Sequence, residues 1–175
     1  MPDEKGIDLH ATALHEAGHA VVGYRLGIQS DELSVIPDFE EGSWGHHNTD
    51  IYEDWVGHES PSGARDCAIQ IYAGAEAQRF SDPSSDISTS WSDNERATII
   101  LQFTNGETEV SLREEASRMV RKNWTQISAV AEELVSAKKL SWHEWSIIID
   151  AIDEGEDWHP ILERLRINRR MIYGK

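Results

Sequence analysis

The sequence predicts a mainly α-helical protein, an array of about six helices with a small two-stranded β-ribbon. Three observations point there. Apolar residues recur at three- and four-residue spacing through most of the 175 residues, the period of a helix with one buried face. Helix-start signals, in which a Ser is followed three positions on by Glu, stand ahead of several of these runs. The stretch Glu32-Leu33-Ser34-Val35-Ile36 instead reads as a short β-branched strand.

The first helix is expected from Asp8, an N-cap residue type, to Gly27, a C-terminal stop, with Leu14, Ala17, Val21, Val22 and Leu26 apolar and no proline between Ile7 and Ser34. Ala17, Gly18 and Ala20 are small enough to let another helix approach. Glycine costs about 1 kcal/mol in a helix interior, so Gly18 needs a packing or site reason. Pro37 closes the strand and favours an edge position. The turn-rich segment 38–48, with Trp44, His46 and His47, completes the ribbon, and a ribbon edge beside a reactive site can hold an extended peptide by backbone hydrogen bonds. Residues 48–62 read as a polar loop near the site.

A second helix is expected over about 63–80, rich in small residues, with Cys67 buried in it and the small face of the first helix as its partner. A Ser-, Asp- and Pro-rich loop, 81–92, leads into the capping box Ser92-Asp93-Asn94-Glu95, which sets Asp93 in the first turn of a third helix. Ser111 with Glu114 opens a long helix whose stripe runs from Leu112 to Val135, and Ser141 with Glu144 opens another through Ile152. Asp157 starts a final short helix, containing Pro160 and Leu165.

The length fits one domain, 1–175, with a core over about 8–150 and a basic helix at about 158–175. The net charge of −16 argues against nucleic acid and anionic membranes as partners. Arg164, Arg166, Arg169, Arg170 and Lys175 gather at the end, leaving the rest at −21; they read as a solvated helix face or a patch for an acidic partner. One cysteine excludes an internal disulfide, no stretch is apolar enough to span a bilayer, and the first residues lack a signal-peptide pattern. A cytoplasmic protein is the expectation.

The chemistry gathers at His15-Glu16-Ala17-Gly18-His19. Residues four apart on a helix lie one turn along and about 40° round, so His15 and His19 can present ring nitrogens to one ion. Glu16, roughly 100° round from His15, falls beside the metal, in the position of a general base for a metal-bound water. A catalytic zinc needs a third protein ligand. His46, His47 and His58 have the right chemistry but lie in loops; His10 is on another face of the helix; His143 and His159 belong to the late helices; Asp93 is a carboxylate on a pinned first turn.

The chain resembles the zinc peptidase domain of the FtsH-type ATP-dependent proteases. The run from His15 to Gly23 looks like that family's metal helix, Ser34-Val35-Ile36-Pro37 like its strand ending in proline, Ala73-Gly74-Ala75-Glu76-Ala77 like its small-residue helix, and Asp93-Asn94-Glu95-Arg96-Ala97-Thr98 like its aspartate-bearing helix start. The resemblance covers roughly residues 8–150. It implies zinc held by His15, His19 and Asp93, Glu16 as general base, a helical fold with a ribbon, and hydrolysis of peptide bonds in polypeptide substrates. It also implies a hexameric ring and an ATPase motor, yet no membrane anchor and no phosphate-binding Gly-rich loop with Lys is present in this sequence. A free-standing domain of this kind is expected to act on flexible or unfolded polypeptides, or beside a separate ATPase partner or within a homo-oligomer. Where the family carries an acidic pair, this chain has Gln78-Arg79, which puts the orientation of the ligands in question, with Glu76 as a possible substitute. The alternatives are a non-catalytic peptide-binding or regulatory relative, and a regulatory protease of another H-E-x-x-H type whose third ligand is not Asp93.

Overall fold

A computed structural model describes residues 8–28, 30–36, 46–47, 61–85 and 91–173. Among them the order is α1 (Leu9–Leu26), β1 (Glu32–Ser34), β2 (His46–His47), α2 (Pro61–Ser81), α3 (Trp91–Leu101), α4 (Glu109–Lys122), α5 (Trp124–Ala137), β3 (Lys139–Ser141), α6 (Trp142–Glu154) and α7 (Trp158–Tyr173). The protein is mainly helical with a small antiparallel sheet, as expected.

Helix α1 is the axis of the fold. Asp8 caps it, its carboxylate accepting from the backbone N–H of His10 at 3.0 Å and of Ala11 at 3.2 Å, and Gly27 ends it at φ +75°. Nearly every residue from Ala13 to Gly23 is buried, because α2 and α5 pack along it and α4 and the sheet close the rest. A helix buried on all sides is expected to be apolar all round. Glu16 and His19 break that rule, so α1 carries polar groups into the core.

The α1–α2 contact explains Gly18. A β-carbon there would fall 2.7 Å from the Ala73 carbonyl oxygen and 2.8 Å from Ala77 Cβ, so only glycine allows this approach. The other large buried side chains, among them Leu33, Ile69, Leu112, Ile127, Leu134, Trp145, Ile148 and Ile149, join the same core, and Cys67 is buried in α2.

Three expectations change. The long helix after Ser111 is two helices: the Asn123 side-chain amide donates to the Met119 carbonyl at 2.8 Å, competing with the helical ladder, and α5 restarts at Trp124. That accounts for seven helices among the described residues rather than six. Its cap is Thr108, whose Oγ1 accepts from the Ser111 N–H at 3.1 Å; Ser111 is the partner residue of the box, not its start. Third, β1 is the central strand of the order β2-β1-β3, not an edge. Leu33 faces His47 in one ladder and Leu140 in the other, while Pro37 lies outside the described residues. Strand β3 fits between α5 and α6 because Lys138 takes a left-handed turn at φ +68°.

The Ser141–Glu144 box does open α6: the Ser141 N–H donates to the Glu144 carboxylate at 3.0 Å. The final helix spans sixteen residues, close to the 158–175 expected, and packs on α6. Among the described residues no helix is long and apolar enough to cross a membrane.

Candidate metal centre

One turn of α1 sets His15 and His19 side by side with their Nε2 atoms 3.0 Å apart and their rings nearly perpendicular. Asp93, in the first turn of α3, brings Oδ2 to 2.9 Å from His15 Nε2 and 3.5 Å from His19 Nε2. The helix begins at Trp91, one residue before Ser92, and still leaves Asp93 where its amide dipoles favour a carboxylate. The cluster of His15, His19 and Asp93 thus draws on a stretch of chain 78 positions long.

The far side of each imidazole fixes what the near side offers. His19 Nδ1 lies 2.9 Å from the Gln70 carbonyl oxygen, which can only accept, so the proton sits on Nδ1. His15 Nδ1–H donates to Gln78 Oε1 at 3.0 Å in the same way. In the neutral imidazoles both Nε2 atoms then present lone pairs, and they present them to each other and to a carboxylate oxygen. Three acceptors within 4.8 Å of one another need a cation or a shared proton between them.

Without a metal the proton takes that place. Burial pushes the His19 imidazole down, but the hydrogen bond and charge of Asp93 outweigh it and hold the group above its ordinary value of 6.5. Burial likewise pushes Asp93 up, and the two imidazoles more than reverse this, holding it well below the usual carboxylate range. The donor set, two imidazoles and one carboxylate with their outer hydrogen bonds made, has the composition of a catalytic zinc site.

Glycine 74 makes room for it. A β-carbon at Gly74 would stand 2.5 Å from His19 Nε2 and 2.9 Å from His15 Nε2, so α2 leaves a notch where the nitrogens meet. Gln70, Gly74 and Gln78 are spaced by four on α2 and form one stripe against the His15–His19 turn.

Glu16 is buried in the same turn of α1. Burial, offset in part by His15 and reinforced by the negative charge of Asp93, pushes its carboxyl up to about 7. A carboxylate tuned near neutrality can both accept and return a proton at working pH.

Three of the other candidates lie apart from the cluster. His10, His143 and His159 are exposed away from the cluster, His159 against Trp158 and Asp157. His46 and His47 form β2, and His58 lies outside the described residues, as do most of the loops expected at 48–62 and part of that at 81–92. Gln78 contacts His15, while Glu76 pairs with Arg79 at 2.8 Å and Arg113 at 3.5 Å, so Gln78 and not Glu76 holds the imidazole. Gln70 acts through its backbone, which no residue-type pattern marks. The fourfold spacing of Gln70, Gly74 and Gln78 opposite the His15–His19 pair is the signal that finds the stripe.

No protein-family model matches the chain, and no curated protein matches it.

Proposed function

We propose that this protein is a zinc-dependent metallopeptidase that hydrolyses peptide bonds in flexible or unfolded polypeptides. The observation that carries the reading is the convergence of His15 Nε2, His19 Nε2 and an Asp93 oxygen, with both Nδ1 protons engaged elsewhere, beside a buried Glu16. Bound zinc would supply a Lewis acid for the scissile carbonyl and acidify a water for attack. Glu16 accepts that water's proton and returns it to the leaving amine; its elevated pKa suits both halves of the task. Gln78 and the Gln70 carbonyl hold the imidazoles in the tautomer that binds metal.

Strand β1 has both edges paired, so backbone pairing with an extended substrate would fall to an outer strand of the sheet, β2 or β3, of which β2 packs on α1. A separate ATPase or self-assembly would be needed to present folded substrates. The contact of Gln78 with His15 supports the catalytic reading over the non-catalytic alternative, whose other motive is the missing motor.

The test joins metal content with turnover. The wild-type protein is expected to bind one equivalent of zinc and cleave casein. Glu16→Gln is expected to keep the zinc and lose cleavage by at least about 100-fold, the range for removing a general base. Asp93→Ala is expected to lose zinc; unchanged zinc content there would move the third ligand elsewhere, and undiminished cleavage by Glu16→Gln would remove Glu16 from the reaction.

A further inference from the structure

Two ligands of the centre sit on one helix and are rigidly related, whereas the third arrives on α3, a short helix whose first turn has to be held at the right height against α1. The Asp93 geometry therefore depends on what fixes α3 to the helices around it. Arg113, on α4, reaches that turn. Its Nη2 donates to the side-chain oxygen of Asn94, the residue after Asp93, at 2.8 Å.

The same guanidinium is gripped from two other sides. Its carbon lies 4.2 Å over the ring centre of Tyr72, a residue of α2, and Nη1 stands 3.5 Å from the buried Glu76 carboxylate, also on α2. Among the described residues that Nη1 is buried and makes no hydrogen bond, so charge and the aromatic face hold it. Nε donates to Glu109 at 2.7 Å, which aligns the plane of the fork along α4.

We infer that Arg113 is a positioning residue of the metal centre: by tying Asn94 on α3 to Tyr72 and Glu76 on α2, it sets the height of the Asp93 carboxylate against the imidazoles. It touches no ligand atom itself. α2 carries Gln70, Gly74 and Gln78, so one side chain references the third ligand to the helix that orients the other two. This rests on the reading of the cluster as a zinc site. Arginine suits the task because a planar fork with five donors reaches three helices at once, which a lysine ammonium on a flexible stem does not.

The experiment measures zinc affinity by chelator competition, the visible absorption of the cobalt-substituted protein, and the melting temperature of the metal-free protein. It compares wild type, Arg113→Lys, Asn94→Ala and the double variant. Loss of an outer-shell contact weakens metal binding by about 10- to 100-fold. Each single variant is expected to weaken zinc within that range and shift the cobalt bands, and the double variant is expected to be no weaker than the worse single one, because both break the same tie. Asn94→Ala, at a partly exposed position, keeps the test valid if Arg113→Lys folds poorly. Unchanged zinc affinity and cobalt bands in Asn94→Ala, or in a folded Arg113→Lys whatever its melting temperature, would overturn the positioning role and leave the zinc site standing. A wild-type protein that binds no zinc would overturn the site and this role together.

Discussion

Asp93 and Glu144 are both partly buried carboxylates held below their ordinary pKa, and what surrounds each is opposite in character. Glu144 accepts from the Ser141 hydroxyl at 2.7 Å and from Arg166 at 2.8 Å, and Arg166 also reaches Glu133 at 2.7 Å. That network joins α5, β3, α6 and α7 and is complete in itself, with donors matched to acceptors. Asp93 faces two imidazoles whose outer protons are already committed to Gln78 and Gln70, so the lone pairs outnumber the protons between them. A satisfied network is scaffold; one short of positive charge is a candidate place for a cation. Burial and a perturbed pKa do not tell the two apart, because both have them.

The largest effect that sharpens this contrast belongs to Gly74. Alanine there gains about 1 kcal/mol of helix propensity but puts a β-carbon on the two ring nitrogens, which are side-chain ends and can swing away. Gly74→Ala is therefore expected to leave the metal-free melting temperature nearly unchanged and to weaken zinc by about 100-fold or more. Gly18, on the same interface, divides the other way. Its added β-carbon meets the Ala73 carbonyl and Ala77 Cβ, which move only if α2 moves, so Gly18→Ala is expected to destabilise by about 1–3 kcal/mol. Calorimetry with and without zinc checks both, and equal losses of stability in the two variants would break the distinction between notch and packing.

How much of this was legible in the sequence follows from the range of each interaction. Asp8, Gly27, Ser141 and Gly155 act within a few residues, and the caps they form stand where local rules put them, although Gly155 took structure to notice. His15 and His19 share a helical turn, so their pairing could be read from spacing alone. Asp93 could be placed on a helix start by its capping box, but nothing local said that α3 meets α1; the family resemblance supplied that. Asn123 splits α4 from α5 through its own side chain, against an apolar stripe that runs on unbroken across the break. Strand β3 is three residues made by pairing with β1, more than a hundred positions away, and has no local signature.

Acid and base separate the two regions next. His19 is raised, so its proton stabilises the metal-free site fully below the unfolded value of 6.5, and that contribution is lost as pH rises through the folded value. Zinc needs the deprotonated ring, so the stabilisation that zinc adds is expected to grow as pH rises from 6.5 through the raised value of the folded protein. Glu144 is lowered: burial pushes it up, and Ser141 and Arg166 overcome that. Its contribution is present above the unfolded value of 4.5 and disappears as pH falls through the folded one. Melting curves over pH, with zinc and with chelator, are expected to diverge on the basic side and to fall together on the acidic side. A zinc increment that stays flat across neutral pH would mean that no proton competes at the cluster.

The smallest expected effect is at Arg166, and it tests whether the scaffold network is independent of the centre. Its guanidinium is about one-third exposed, which screens its pairs with Glu133 and Glu144. Arg166→Met keeps most of the stem that packs between α6 and α7 while removing the donors. The loss is expected to be roughly 1 kcal/mol, because Glu144 keeps the Ser141 bonds and its neighbour Arg169, 3.7 Å away, remains. Zinc affinity is expected to stay within twofold of wild type, since Arg166 reaches α5 and α6, whereas the imidazoles of His15 and His19 are held by Gln78 and Gln70 of α2, which also packs on α3. A tenfold fall in zinc affinity on Arg166→Met would show that the C-terminal layer also sets the geometry of the centre, and that the two carboxylate networks form one coupled system.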